Sequence, residues 1–241
     1  MNLFFIPIFK PHDFKALHSF NISSIIKYTI GTCILFKITD DIRRLVLFGA
    51  TNSGKSATGN MILGDSKFIP HLKTSKNSPA NMMHETTERA KRFKKIIKIV
   101  VTPGIRISGL ADEVTKTNII RNINNGRELL ETEPDAYLYI ISTTNDIESE
   151  MKIIDFIYRR LRKMIEKIII VFTGFDHFKD KHITRYDYLD GLPNKLKIFI
   201  ADCGGDNRVL FFDNSRSFYE DLANIQVGKL LKTIDDMIGH I

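Results

Sequence analysis

Gly49-Ala50-Thr51-Asn52-Ser53-Gly54-Lys55-Ser56 is the stretch whose reading decides the fold of this chain. It fits G-x-x-x-x-G-K-[ST], the pattern of a loop that holds phosphate groups. The apolar run Leu45-Val46-Leu47-Phe48 before it reads as a buried strand, and Ala57 to Leu63 after it reads as a helix start. In a strand–loop–helix setting, consecutive backbone N–H groups turn inward and hold phosphate oxygens. The helix N-terminus adds the positive end of its dipole. Lys55 is expected to reach the outer phosphates, and the Ser56 hydroxyl to sit on Mg²⁺.

Outward from this loop, strand and helix signals alternate. Arg43 to Phe48 is the first strand and Lys55 to Leu63 the first helix, closed by Gly64 as a helix-ending glycine should. Residues 65 to 87 form a long polar segment with Pro70 and Pro79, the kind of loop that is usually functional. Ile96 to Val101 is a β-branched strand, ended by Pro103-Gly104. A helix is expected from about Glu113 to Leu130, and a strand from Ala136 to Ser142. Glu148 to Ile165 is amphipathic, with Met151, Ile154, Ile157, Tyr158, Leu161 and Ile165 on one face. Lys167 to Thr173 is a central buried strand. Tyr186 to Asp202 is largely helical, Arg208 to Phe212 is a strand, and Tyr219 to Ile238 is a closing helix with Leu222, Ile225, Leu230, Leu231, Ile234 and Met237 toward the core. Such alternation implies an α/β fold: a mostly parallel sheet covered by helices on both faces. Residues 1–41 are apolar without a clear period and read as an N-terminal extension to a main domain over 42–241.

The 241 residues suffice for one domain with a full core plus that extension. The formal net charge is +7, and a polyanionic ligand would use part of it. The clusters Lys91 to Lys98 and Arg159 to Lys163 read as a solvated strand edge and helix face, with an anionic membrane surface or partner as the alternative. No aromatic-rich motif accompanies the charge, which argues against nucleic acid. Cys33 and Cys203 lie far apart without CxxC spacing, which favours a reducing, cytoplasmic compartment over a disulfide or zinc framework. The most apolar N-terminal stretch, Ser24 to Ile38, is broken by Lys27, Gly31 and Lys37. It falls short of the roughly 18 apolar residues of a membrane span. Met1 to Phe9 lacks a basic start and is cut by Pro7, so it makes a poor signal peptide.

In sheets of this kind ligands bind at the carboxyl ends of the strands. Three later strand ends therefore matter. At Val101-Thr102-Pro103-Gly104 the turn lets the Gly104 N–H approach a γ-phosphate, but Val101 stands where nucleoside triphosphatases commonly carry an Mg²⁺-ordering Asp. At Thr173-Gly174-Phe175-Asp176 the carboxylate of Asp176 can accept from guanine N1–H and the 2-amino group. Adenine lacks that donor pair and would leave the acid unpaired. Asp176 as an ordinary loop cap is the alternative. At Phe212-Asp213-Asn214, Asn214 can donate to guanine O6 or line the base pocket, although Asp-Asn-Ser is also ordinary turn chemistry.

Together these segments resemble one family. Arg44 to Gly64, with its extension Ser56-Ala57-Thr58-Gly59-Asn60-Met61-Ile62-Leu63-Gly64, resembles the phosphate-loop segment of the GTPases of immunity-associated proteins (GIMAP), the AIG-type G domains. Thr102-Pro103-Gly104-Ile105, Glu133 to Ile140, Ile170 to Asp176, Cys203-Gly204 with Arg208 and Asn214, and Gln226-Val227 with Leu230, Leu231 and Ile234 are similar to later segments of that family. The match runs from about Arg43 to Met237. It implies a three-layer, Ras-like P-loop NTPase domain that binds GTP and GDP with Mg²⁺. It also implies self-association through the G-domain face and attachment of members to intracellular membranes. On this reading the nucleotide site comprises Gly49 through Ala57, Gly104, Thr173, Asp176 and Asn214. Lys55 and Ser56 are its catalytic residues. Ser56 holds the metal with a threonine of the first switch, for which Thr86 and Thr87 are candidates and Thr87 is preferred.

The departures from the family bear on mechanism. Val101 replaces the family's Asp, and Gly174 replaces an Arg or Lys whose stem would cover the base, a task left to Phe175. Thr143-Thr144-Asn145 replaces a stretch that often holds Arg. Ile105 follows Gly104, where Ras-type enzymes orient water with Gln. A slow GTPase switch is therefore expected, with a GTP-binding scaffold that does not turn over as the alternative.

Overall fold

The computed structural model describes residues 42–66, 68, 84–90, 93, 95–175, 183–214 and 220–239. The expectations for residues 1–41, for Asp176 and for most of the polar segment 65–87 lie outside these residues. Six strands form one sheet: β1 (Ile42–Gly49), β2 (His84–Ala90), β3 (Lys95–Val101), β4 (Ala136–Ser142), β5 (Ile168–Thr173) and β6 (Val209–Phe212). Their order is β2-β3-β1-β4-β5-β6. β3, β1, β4, β5 and β6 run parallel, and β2 joins β3 antiparallel at the edge. The long helices are α1 (Lys55–Leu63), α2 (Glu113–Leu129), α3 (Ile147–Arg160), α5 (Asn194–Asp202) and α6 (Glu220–Gly239). The short α4 spans Arg185–Asp190.

Strand side chains alternate between the two faces of a sheet. Leu45 and Leu47 of β1, Leu138 and Ile140 of β4, and Ile169 and Val171 of β5 pack against α1 and α6. Val46 and Phe48, Tyr137, Tyr139 and Ile141, and Ile168, Ile170 and Phe172 pack against α2, α3 and α5. Both faces of the central strands are covered, so these strands are apolar at nearly every position, as buried parallel strands are. The result is the three-layer arrangement expected from the alternating pattern.

Local signals explain most element ends. Asp112 and Asp146 cap α2 and α3 by accepting from N–H groups of the first turn. Gly64 ends α1 in the left-handed region at φ 72°, its N–H reaching back to Asn60 and Met61. Three details differ from the sequence reading. The first four residues of β2 read as loop in the sequence: His-Glu-Thr-Thr-Glu-Arg-Ala has no apolar face to announce a strand, and edge pairing supplies its order. The helix expected over 148–165 stops at Arg160, and a 3₁₀ turn covers Arg162–Lys167. In α6, Ile225 is 56% exposed; Ala223, Gln226 and Val227 turn inward instead. A single apolar residue shifts the apparent face of a helix by one position, and packing decides.

Candidate functional site

The carboxyl ends of β1, β3, β5 and β6 converge on the loop between β1 and α1. The loop needs unusual backbone: φ is 148° at Gly49, 63° at Asn52 and 91° at Gly54. Glycine is also required sterically at two places. A Cβ on Gly49 would lie 2.3 Å from the Ile140 carbonyl oxygen, and one on Gly104 would lie 2.8 Å from Thr51 Cα. The Thr-Pro-Gly turn therefore passes directly beside the loop. Ile105 N donates to Gly49 O, and Thr51 N donates to Ile105 O, both at 3.0 Å. From β5, the Thr173 hydroxyl donates to Ser53 O at 2.8 Å. From the end of β6, Asn214 Nδ2 donates to Thr58 Oγ1 at 3.1 Å.

Lys55 begins α1 and curls back over the loop. Its Nζ donates to Ala50 O at 2.6 Å and Gly49 O at 3.3 Å, with Ser53 Oγ at 3.4 Å. Burial lowers its pKa to about 8, against the charge of Glu150, which raises it. Ser56 stands half-buried in the first turn of α1. Ala50, Thr51, Asn52, Ser53 and Ala57 complete the loop and first turn; Ser53 is buried and Thr51 and Asn52 are exposed. A glycine-built loop, a helix N-terminus and an ammonium brought together are the groups that can hold a polyphosphate.

The extension Thr58-Gly59-Asn60 has a structural purpose. Thr58 receives Asn214. Gly59 leaves room for the Phe68 ring, which a Cβ would meet at 2.8 Å. Asn60 clamps the Phe68 backbone from both sides: its Nδ2 donates to Phe68 O, and Phe68 N donates to its Oδ1, each at 2.7 Å. The segment after α1 is thereby held against the helix next to Val101, which is 5% exposed in the same apolar layer.

Other expected residues are placed as follows. Asn214 stands at the loop; one N–H of its amide donates to Thr58, and its Oδ1 is buried with no hydrogen-bond partner among the described residues. Thr143 Oγ1, after β4, is orphaned in the same way. Phe175 packs edge-on against Phe211 (centroids 4.9 Å) and Tyr188 (5.7 Å) rather than standing free. Thr86 and Thr87 lie within β2, opposite Ile99 and Lys98. Thr87 is three residues, about 10 Å, back from the level of Val101. Ile105 is buried in the core, so no side chain there faces the loop opening.

A divalent cation would find the Ser56 hydroxyl and phosphate oxygens here. Mg²⁺ is commonly held by one or two carboxylates plus phosphates and water. The strand end that could supply the acid carries Val101, and no group of three or more acidic, His or Cys residues gathers among the described residues. A metal here would be held chiefly through phosphate oxygens and the Ser56 hydroxyl.

One buried acid was missed by sequence reading. Glu150 is 0% exposed and points inward from α3: the fully buried residues of the helix are Glu150, Ile153, Ile154, Phe156 and Ile157, with Met151 and Tyr158 packing partly buried beside them. An acid at helical spacing from three isoleucines was its signal.

Comparison with known proteins agrees with this geometry. The family model described as "AIG1 family" matches residues 43–240. Immune-associated nucleotide-binding protein 9 of Arabidopsis thaliana is 33% identical over 199 residues, covering 81% of this chain and 55% of that protein. Immune-associated nucleotide-binding protein 1 of the same plant is 29% identical over 208 residues, covering 81% and 84%. The chain thus spans about half the length of the former and most of the latter. Among solved structures, Toc33 from Arabidopsis thaliana in complex with Mg²⁺ and GMPPNP superposes with a TM-score of 0.55 at 17% identity, covering 93% of this chain and 95% of that one. A structure from work on the chloroplast translocon components atToc33 and psToc159, for whose GTPase activity dimerization is important, superposes at 0.56 and 15% identity, covering 88% of each chain. At such identity the likeness is one of fold: a P-loop G domain.

Proposed function

This chain belongs to the AIG1 family, and we propose that it binds guanine nucleotide and acts as a slow GTPase switch that pairs with a second copy when GTP is bound. The observation that carries the reading is the glycine-built phosphate cradle with Lys55 seated across it. The loop N–H groups and Lys55 hold the phosphates, and Gly104 brings its N–H to the γ-phosphate. Asp176 reads the guanine edge, and Thr173 anchors the loop from β5. Ser56 would help hold a bound Mg²⁺, whose charge would offset that of the phosphates.

Slow turnover follows from two side chains. Val101 offers no carboxylate to order the metal's water, an outer-sphere loss worth roughly 10- to 100-fold in affinity or activity. Ile105 turns into the core and orients no water. These same residues support the alternative, a scaffold that binds GTP without turning it over. Pairing draws on the G domains of similar fold, since dimerization is important for the GTPase activity of atToc33 and psToc159. Spread of Cys33 and Cys203 without metal spacing supports a cytoplasmic setting. Among the described residues no helix is long and apolar enough to cross a membrane. Any membrane contact would be peripheral, through the basic clusters.

The test is affinity for GTP, GDP and ATP titrated against Mg²⁺, followed by single-turnover hydrolysis. GTP and GDP should bind more tightly than ATP, and hydrolysis should be slow but measurable. ATP binding as tight as GTP sinks the assignment. Undetectable hydrolysis that Val101→Asp greatly restores selects the scaffold.

A further inference from the structure

The chain beyond Gly104 leads away from the phosphate loop and forms one wall of a groove that the proposed function leaves unused. Ile105 is tied to Gly49 and Thr51 by its backbone, and soon after it the chain makes a 3₁₀ turn, Ile107–Ala111. With three residues per turn, positions i and i+3 share a side. Ile107 and Leu110 pack partly buried against the core, and Ser108 and Ala111 stand exposed. The backbone bonds of the turn are short-range: Gly109 N donates to Arg106 O, and Asp112 N to Gly109 O. Gly109 lets the turn lie close on α2, where a Cβ would meet Thr115 Cγ2 at 2.5 Å.

Opposite the turn runs α3, and between them lies a groove of about 510 Å³ that Ser108 lines. Lys116, Lys152, Arg159 and Arg160 line it too, against Glu113 and Asp155. Lys152, Asp155 and Arg159 follow one another at helical spacing, so they form one stripe of α3. Both acids are already engaged. Glu113 is held by Lys116 at 2.6 Å and by Arg160 at 2.8 Å, and Asp155 is paired with Lys195 of α5. Asp146, whose carboxylate feels the charge of Lys152, is occupied in capping α3. Lys152 and Arg159 are exposed and form no ion pair among the described residues. The groove thus carries an excess of two positive charges beside an exposed hydroxyl. Phosphoserine brings a charge of about −1.5 to −2 at pH 7 and three strong acceptor oxygens, which matches that excess. Arg106, two residues before Ser108, is also exposed and supplies the positive charge that a kinase choosing substrates by charge pattern can read.

We propose that Ser108 is a phosphorylation site, and that its phosphate, taken up by Lys152 and Arg159, latches the turn beyond Gly104 onto α3. The donor is ATP, used by a serine kinase that selects basic substrates. The bond from Ser108 Oγ to the γ-phosphorus forms as the bond from that phosphorus to the bridging oxygen breaks. ADP leaves with the oxygen, and a base of the kinase takes the hydroxyl proton. Arg–phosphate pairs are charge-assisted and bidentate, so the contact fixes direction as well as distance. The latched turn begins at Ile105, whose N–H and C=O bond the phosphate loop, so the strand end beside the loop is held more firmly. The effect on bound nucleotide rests on the nucleotide-binding reading; the latch itself forms without nucleotide.

Two measurements on the full chain test the site and the latch separately. Incubation with ATP and an arginine-directed serine kinase (the catalytic subunit of the cyclic-AMP-dependent enzyme) should place phosphate on Ser108, mapped by mass spectrometry and absent from Ser108→Ala. A chain left unmodified at Ser108 overturns the site. The latch is read by ³¹P NMR on nucleotide-free chain with phosphoserine introduced at position 108 during translation, titrated across the second phosphate pKa of about 6. That pKa should lie about one unit below its value in the same chain unfolded in urea, a tenfold preference for the dianion. Lys152→Gln combined with Arg159→Gln should remove most of the shift, and phosphoserine at the exposed Ser66 should show none. Both substitutions sit at exposed helix positions, where the fold tolerates change. A phosphate that titrates as it does in urea, or whose shift survives the double substitution, overturns the latch. GTP should dissociate several-fold more slowly from the phosphorylated chain than from Ser108→Ala, and equal rates overturn its reach to the loop. A chain that binds no guanine nucleotide yet shows the shifted phosphate overturns the nucleotide reading and leaves the latch in place.

Discussion

Lys55 shows how one residue can be costly to the fold and needed by the site. Its pKa falls from 10.5 in the open chain to about 8 in the fold, with burial the larger cause. Between those values the unfolded chain holds a proton that the folded chain has released. Unfolding therefore takes up a proton there, and raising the pH favours the folded state. Across the whole shift the gain is of order 3 kcal/mol. The nucleotide-free protein should gain stability relative to Lys55→Met as pH rises from about 8 to 10.5, read by urea unfolding of both at each pH; parallel curves would show an unshifted lysine. Val101 is the opposite case, a residue comfortable in its apolar layer and missing from the chemistry. The loop motif and the Val101 substitution were both legible in sequence, because each is defined by spacing from the glycines. Glu150 was overlooked, although its spacing from Ile153, Ile154 and Ile157 puts it on the buried face of α3.

At the scale of elements, α1 is more than the carrier of Lys55 and Ser56. Its second turn holds Phe68 by ring packing over Gly59 and by the two Asn60 hydrogen bonds. Asn60→Ala leaves the N–H and C=O of a buried residue unpaired and should cost about 1–3 kcal/mol. Gly59→Ala crowds the ring and should cost a similar amount, about 1–3 kcal/mol. Both act through Phe68, so the double variant should cost clearly less than the sum. Urea denaturation of the four proteins checks this; strict additivity would show that the two residues do not share that partner. The sequence marked Thr58-Gly59-Asn60 as distinctive without giving its reason. The reason is tertiary: the partners Phe68 and Asn214 lie 8 and 156 residues away. The edge strand β2 and the exposed Ile225 escaped sequence reading for a related cause. Polar edge strands and one-residue shifts of a helix face carry little local signal.

For the whole molecule, four strand ends meet at one loop, so ligand binding there should tighten the entire sheet edge. A ligand that binds only the folded state stabilises it by mass action, about 2.7 kcal/mol at a hundred times its dissociation constant. For a domain of this size that corresponds to roughly 5–10 °C in melting temperature. GTP and GDP should give this rise and ATP at equal concentration much less, with Asp176→Asn narrowing the difference. Equal shifts for all three nucleotides in the wild type would remove Asp176 as the reader of the base.

The sequence by itself determined the layer order, the parallel sheet and the place of the phosphate loop. Hydrophobic periodicity and glycine spacing are local properties, and a βαβ chain has few ways to bury them. Only the tertiary structure decided that an Asn214 amide N–H reaches Thr58, that Phe175 belongs to an aromatic cluster with Tyr188 and Phe211, and that Glu150 is buried against the Tyr139 hydroxyl. Each of these joins residues from different elements, and such pairings are fixed by packing across the sheet rather than by any run of neighbouring residues.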